Sequence, residues 1–151
     1  LLVDGRGVIL AADPNAEFAG ICQGKQIGKI LNDSANIIGI YKERLYLYGT
    51  PWCSPEAVQA ERAPLGGIVF LKKSDAGAVT DLPEDKRQLL MLVHCKSPFW
   101  REGLLDQCLN TIQRVEPSVW IRQLESHADE AAADVLKPAL DTIENDTVAE
   151  Y

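Results

Sequence analysis

Short apolar runs separated by polar turns fill the first half of the chain, a pattern typical of β-strands. Residues 7–11, 37–40 and 45–48 each have the length of a strand, and the polar "YKER" between the last two predicts a hairpin. The run "GGIVFLKK" at 66–73 is almost continuously apolar, which predicts a strand buried on both faces of a sheet. We expect the segment that follows it, "SDAGAVTDLP", to be a loop.

The second half of the chain changes to helical spacing. In "PEDKRQLLMLVHC" a proline and two acids occupy the predicted first turn, and the apolar face consists of Leu89, Leu90, Leu92 and Val93. In "SPFWREGLLDQCLNTIQRV" Ser97 can cap a helix and Pro98 can take its first position. Apolar residues then recur at helical spacing, at Trp100, Leu104, Cys108, Ile112 and Val115. We expect both helices to pack on the sheet.

The last elements are a strand and an alanine-rich helix. The segment "SVWIRQL" predicts a late strand, and Ser126 with Asp129 forms a capping-box pattern before the helix. Residues from Asp141 onward are acidic and are expected to fray. The order of elements indicates an α/β sandwich, with one domain over 1–140 and an acidic tail over 141–151.

Composition and charge narrow the possible partners. The chain has 151 residues, of which 46% are hydrophobic, enough for the core of one domain. Its net charge of −7 would repel a phosphate backbone, so nucleic acid is not an expected partner. No membrane segment or leader is recognisable, and we expect a cytoplasmic protein. The chain opens at Leu1 in apolar sequence, which suggests a fragment lacking upstream strands.

The cysteines and histidines do not have the spacing of a metal site or a disulfide framework. The four cysteines, Cys22, Cys53, Cys95 and Cys108, include no C-x-x-C pair. We therefore expect reduced thiols and no bound metal. The two histidines, His94 and His127, lie in unrelated contexts and do not predict a catalytic triad.

The most distinctive passage is "RLYLYGTPWCSPEAVQAERAPLGGIVFLKK" at 44–73. It resembles a segment of the HPr kinase/phosphorylase-like proteins, P-loop proteins that share a nucleotide fold with phosphoenolpyruvate carboxykinase. The family's "YGTPW" is matched by residues 49–52, and its "APLxAIFFL" is matched at Ala63, Pro64, Leu65, Phe70 and Leu71. "ILNDS" at 30–34 and the passage from "CKSPFW" to "WIRQL" are similar to two further segments. The resemblance implies a phosphoenolpyruvate carboxykinase-like sandwich of a mixed sheet and flanking helices.

The resemblance places a phosphate-binding loop directly after the strand at 7–11. Such loops have the form G-x-x-x-x-G-K-[ST], in which glycines turn backbone N–H groups toward phosphate, lysine neutralises charge and the hydroxyl holds magnesium. In the gapless alignment the tract is "ADPNAEFA" at 12–19. Ala12 and Glu17 replace the glycines, Phe18 replaces the lysine, and Ala19 replaces the hydroxyl residue.

These replacements disfavour a nucleotide on physical grounds. Pro14 removes a backbone donor, and Asp13 with Glu17 would set carboxylates against phosphate. Each like-charge contact at about 4 Å costs on the order of 4 kcal/mol at an effective dielectric near 20. A micromolar affinity is worth only about 8 kcal/mol. A shifted alignment through Gly20 and Lys25, "GICQGK", is one residue short of the pattern and lacks the hydroxyl residue.

Other candidate residues come from the same resemblance. The family's paired aspartates, which lie near magnesium and the transferred phosphoryl group, align with Asp33 and Ser34, so Asp33 is the candidate general base. Asp33 can equally be a residue that ends a strand or caps a turn. Trp52 can border a ligand or form a packing corner. The candidate nucleotide-contact residues are Asn15, Ala16, Phe18, Ala19, Lys25, Thr50 and Arg62.

Three functions remain open from the sequence. The favoured hypothesis is a degenerate HPr kinase-like domain that has lost its phosphate-loop chemistry, needs no cofactor and binds or regulates a protein partner. The second is an ATP-dependent kinase or phosphorylase that uses ATP and Mg²⁺ on a serine or a small hydroxyl substrate. The third is a binding module for a small ligand at the same strand ends. The family also implies a homo-oligomer.

Overall fold

The computed structural model describes residues 1–11, 15–33, 35–53, 55, 60–95 and 100–143. The strands are β1 (Leu2–Val3), β2 (Arg6–Ala11), β3 (Ile37–Tyr41), β4 (Arg44–Tyr48), β5 (Arg62–Lys72), β6 (Ala78–Asp81) and β7 (Trp120–Glu125). The helices are α1 (Asn15–Gly24), α2 (Glu84–His94), α3 (Leu104–Val115) and α4 (Glu130–Asp141), and a 3-10 turn, Glu116–Ser118, follows α3. Among these helices, none is long and apolar enough to cross a membrane.

Strand β5 is the centre of a mixed sheet. It pairs in parallel with β2 on one side and with β7 on the other, and β1 and β6 add antiparallel strands outside them. Because β5 has a strand on each side and helices on both faces, its side chains are buried in both directions. This burial explains its almost continuously apolar sequence. The chain is therefore an α/β protein with a mixed sheet, as the sequence predicts.

The predicted hairpin is formed by β3 and β4. Lys42 and Glu43 make its two-residue turn with φ of 50° and 63°, the left-handed backbone that a tight hairpin of this twist requires. Strand β4 then pairs with the first residues of β5, with Tyr48 opposite Arg62. The hairpin thus extends the sheet at the amino-terminal end of β5.

Alternate residues of β5 face two separate apolar clusters. Val69 lies in the larger cluster, with residues of α1 and α4 such as Phe18 and Leu136. Ile68 and Phe70 face the other cluster, against which residues of α2 pack. This period of two places a helical layer on each face of the sheet.

Two expectations about local structure are wrong. The segment at 74–83 is not all loop, since its residues 78–81 form β6 against β7. The capping residue of α4 is Asp129 and not Ser126: an oxygen of Asp129 accepts a hydrogen bond from the N–H of Ala132 at 2.9 Å. The backbone N–H of Ser126 instead donates to the carbonyl of Lys72.

The predicted faces of the two middle helices also need correction. Helix α3 begins at Leu104 after Gly103, which has a φ of 81°, so Trp100 lies in a turn and is 87% exposed. Ser97 and Pro98 lie outside the described residues. In α2 no residue is fully buried: Leu89 and Val93 are 59% and 68% exposed, because Leu90 and Met91 supply its contact with the sheet.

Candidate functional site

The predicted phosphate-loop position lies between a parallel strand and a helix. Strand β2 ends at Ala11, paired beside Phe70 of β5, and α1 begins at Asn15. Ligands of α/β proteins commonly bind at this carboxyl edge of the parallel strands. Asn15 and Ala16 occupy the first turn of α1, whereas residues 12–14 lie outside the described part of the chain.

The described side chains at positions 17–19 of α1 do not form a phosphate cradle. Phe18 is 1% exposed and belongs to the core cluster that includes Val8 and Cys22, and Ala19 is also buried. Glu17 is exposed in the first turn. The position aligned with the phosphate-loop lysine therefore holds a core aromatic ring, and an acid lies beside it at the helix N-terminus.

Lys25 lies at the other end of the same helix. Helix α1 ends at Gly24, so Lys25 is roughly 15 Å along the axis from the first turn. Its Nζ atom contacts Asp134 at 2.9 Å and Glu130 at 3.9 Å, both in α4. The hydrogen bond to Asp134 raises the pKa of Lys25, and these carboxylates add to the effect. The alternative tract "GICQGK" thus lies within α1 and at its end, not between a strand and a helix N-terminus.

Asp33 and Thr50 belong to a buried polar cluster that also contains Asn32 and Cys53. Asn32 donates its side-chain N–H to the Thr50 hydroxyl, and that hydroxyl donates to the carbonyl of Ala35 at 2.9 Å. The Cys53 thiol donates to the carbonyl of Thr50 at 3.1 Å. Thr50 therefore links the segment after α1 to the segment after β4, which explains its burial.

The surroundings of Asp33 differ from those expected of a strand end. Asp33 is buried in a bend, and among the described residues the segment before it is paired through an isolated bridge between Leu2 and Lys29. Burial raises the pKa of the Cys53 thiol, and the negative charge of Asp33 raises it further. Asp33 therefore lies beside a neutral thiol. Ser34, its aligned partner, is outside the described residues.

Sequence reasoning missed Asn32 and Cys53 as members of this cluster. The available signal was the pair of polar side chains in "LND" directly after apolar residues, since a buried amide requires hydrogen-bond partners. A cavity of about 10 Å³ lies beside the cluster, lined by residues that include Val8, Ala19, Asn32 and Asn36. Its volume is close to that needed for one water molecule.

Arg62 is held by the tyrosines of the hairpin. Its guanidinium lies over the ring of Tyr46 at 4.7 Å and over that of Tyr41 at 5.2 Å. A hydrogen bond with Tyr48 raises the pKa of Arg62 above its usual range. Such cation–π contacts fix the exposed arginine against the hairpin. Trp52, which we considered as a packing corner, is 65% exposed.

A larger polar groove lies between α2 and the end of α3. It has a volume of about 580 Å³ and is lined by Glu84, Arg87, Gln88, Gln113, Glu116 and Pro117. Inside it Arg87 contacts the buried Glu116 at 2.6 Å and donates a second hydrogen bond to the carbonyl of Leu82. The sequence did not predict this groove, because its two sides come from segments about 30 residues apart.

Metal ligands do not cluster in the described residues, where no group of three or more His, Cys, Asp or Glu side chains could hold an ion. Comparison of the chain with models of protein families, with curated proteins and with solved structures gave no match. The family resemblance therefore rests on the motifs of the sequence alone.

Proposed function

We propose that this chain is a degenerate HPr kinase-like domain that has lost its phosphate-loop chemistry and acts by binding a protein partner. The observation that carries the proposal is the burial of Phe18 where the resemblance expects the phosphate-binding lysine. A phenyl ring carries no charge to neutralise a phosphate, and moving it out of the core would also open a cavity. The proposal includes a phosphoenolpyruvate carboxykinase-like arrangement of the sheet.

The charges around the β2–α1 junction support the loss of nucleotide binding. Glu17 already occupies the helix N-terminus, where its negative charge is favourable and where a phosphate would have to bind. Lys25 is paired with two carboxylates of α4 at the far end of the helix. A triphosphate at this junction would meet an acid and no nearby lysine from α1.

Exposed apolar side chains support a protein partner. Leu89 and Val93 lie one turn apart on the solvent side of α2, and Trp52 and Trp100 are also largely exposed. Exposed tryptophans are enriched where proteins contact one another, and contiguous exposed apolar side chains mark interaction surfaces. The chain thus presents surface suited to a protein in place of a built phosphate site.

Thermal denaturation with and without millimolar MgATP tests the loss of nucleotide binding. We expect no shift of Tm, because a ligand that does not bind the folded state cannot stabilise it. Binding at 100 times its Kd would add about 2.7 kcal/mol and raise Tm by several degrees. A shift that persists in Lys25→Ala would contradict the proposal and place the nucleotide at the β2–α1 junction. If Lys25→Ala abolishes the shift, the alternative tract "GICQGK" becomes the candidate nucleotide site.

The partner surface is tested by capture from a cell extract with the intact chain and two matched variants. Val93→Lys should weaken capture of any specific partner because it places a charge in the apolar pair on α2. Lys86→Ala, an exposed change on the same helix, should leave capture unchanged. Equal capture by both variants would exclude the α2 surface as the binding site.

A second candidate function is binding of a small polar ligand in the groove between α2 and α3. Its volume lies in the range of ligand pockets, and Arg87 and Glu84 supply charges of both signs. This location differs from the strand ends that the sequence suggested. Screening of small polar metabolites by thermal shift, with Gln88→Ala as the test variant, would show whether the groove takes a ligand.

A further inference from the structure

Two thiols meet where the end of α2 approaches α3. Cys95 follows the last residue of α2, and its N–H donates to the carbonyl of Leu92. Cys108 lies on the second turn of α3, and its sulfur is 3.3 Å from that of Cys95. Cys95 is exposed and Cys108 is half-buried, so small oxidants in solvent can reach this pair.

We propose that Cys95 and Cys108 form a reversible disulfide that fixes the end of α2 against α3 when the protein meets a peroxide. The peroxide oxygen is reduced and one sulfur is oxidised to a sulfenic acid, with release of one water. The second thiol then attacks that sulfur, the S–S bond forms, and the sulfenic oxygen leaves as a second water. A dithiol reductant reverses the reaction. The proposal does not depend on the proposed function.

The remaining cysteines are not placed for the same reaction. Cys22 is fully buried in the larger core cluster, and the Cys53 thiol donates to the carbonyl of Thr50. The sulfur atoms of Cys95 and Cys108 are already in contact at 3.3 Å, whereas thiols that lie apart need backbone movement to bond. The structure therefore selects one intrachain pair.

The reduced pair is stable in the absence of a peroxide. Although Cys95 is exposed, partial desolvation of its thiol raises the pKa to about 11, and the hydrogen bond with Cys108 contributes next. The thiolate, which is the reactive form, is therefore scarce near neutral pH. The first oxidation is slow, but the second thiol already lies in contact with the oxidised sulfur and resolves it quickly.

The crosslink would act on a helix with few attachments. Helix α2 has no fully buried residue and is held mainly by the ion pair of Arg87 with Glu116 and by the half-buried Leu90 and Met91. A second fixed point at Cys95 would suppress local opening of this helix. It would also hold Leu89 and Val93 in one orientation.

Peroxide treatment of the intact native chain, followed by alkylation after unfolding and by mass spectrometry, tests the proposal. The reduced chain has four cysteines to alkylate, and the oxidised chain should retain two. Peptide mapping should show Cys95 joined to Cys108, and dithiothreitol should restore all four thiols. Hydrogen exchange of the α2 amides should slow severalfold after oxidation.

Three variants distinguish the outcomes. Cys95→Ser and Cys108→Ser should each abolish the intrachain bond and the change in hydrogen exchange, whereas Cys53→Ser should retain both. A bond involving Cys22 or Cys53, a dimer linked between chains, or oxidation of one sulfur without a bond would overturn the proposal. Unchanged exchange in α2 despite a complete Cys95–Cys108 bond would overturn the claim that the bond fixes the helix.

Discussion

At the scale of single residues, Phe18 has a packing role at a position where the family resemblance predicts a binding role. It lies in the core cluster with 1% exposure, although its aligned position in a phosphate loop would face a ligand. In a phosphate loop the side chain at this position contacts the ligand, whereas here it packs in the folded core. The phenylalanine is therefore explained by its contribution to stability.

Phe18→Ala should lower the free energy of unfolding by about 3–5 kcal/mol, because it removes a fully buried ring and leaves a cavity. Urea denaturation followed by circular dichroism measures the loss. Glu17→Ala, an exposed neighbour, should change stability by less than about 0.5–1 kcal/mol. A loss below about 1 kcal/mol for Phe18→Ala would mean that the ring is not part of the core.

Thr50 is explained by the hydrogen bonds that it makes with two other segments. Thr50→Val preserves shape but leaves the Asn32 amide without this acceptor, so we expect a loss of about 1–3 kcal/mol. Thr50→Ser keeps the hydroxyl and should lose less. Chemical denaturation of both variants measures the difference, and a loss for Thr50→Val no larger than that for Thr50→Ser would show that the hydrogen bonds of the hydroxyl do not stabilise this position.

The buried thiol of Cys22 makes the free energy of unfolding decrease at alkaline pH. Burial raises the pKa of its thiol to about 11, above the ordinary value of 9.0. A raised pKa means that the folded state keeps its proton, so this stabilisation is present below pH 9.0 and is lost as the pH rises through about 11. The thiol should account for roughly 2–3 kcal/mol of the fall in unfolding free energy.

Urea denaturation of the wild type and of Cys22→Ala at pH 8 and near pH 11 isolates this contribution. The first pH lies below the ordinary pKa of the thiol, and the second lies near its raised pKa in the folded protein. Between pH 8 and pH 11 the free energy of unfolding should fall less in Cys22→Ala than in the wild type, although the variant is the less stable protein at pH 8. An identical pH dependence in the two proteins would show that Cys22 is not the group responsible.

At the scale of secondary structure, elements with a regular pattern agree with the sequence and short elements depend on their neighbours. The hairpin β3–β4, strand β5 and strand β7 follow directly from apolar periodicity. Strand β6 has four residues and exists through pairing with β7, which the sequence around it does not encode. The predicted start of α3 and the predicted capping residue of α4 were wrong, because Gly103 and Asp129 are the residues that precede these helices.

Asp129→Ala should destabilise the protein by about 1 kcal/mol, because it removes the acceptor for the N–H of Ala132 at the start of α4. Asp129→Asn keeps an acceptor oxygen and should be close to neutral. Differential scanning calorimetry of the two variants measures the effect. A cost for Asn as large as that for Ala would point to charge, not hydrogen bonding, as the source.

At the scale of the whole molecule, the net charge limits which partners the protein can bind. The net charge is −7, and the sheet has helices packed on both faces. Because this charge repels a phosphate backbone, we expect no binding to duplex DNA even at about 50 mM salt. Fluorescence anisotropy of a labelled duplex measures it, and micromolar binding that weakens with salt would reveal a basic patch that the net charge conceals.

The sequence by itself determined the α/β class, the buried central strand and the hairpin, since each depends on the local alternation of apolar and polar residues. It also determined that the residues after the first strand differ from a phosphate loop. Only the tertiary structure decided that Phe18 is core, that Asn32 meets Thr50, and that Cys95 touches Cys108. Those contacts join segments distant along the chain, and local periodicity specifies the type of an element but not the partner against which it packs.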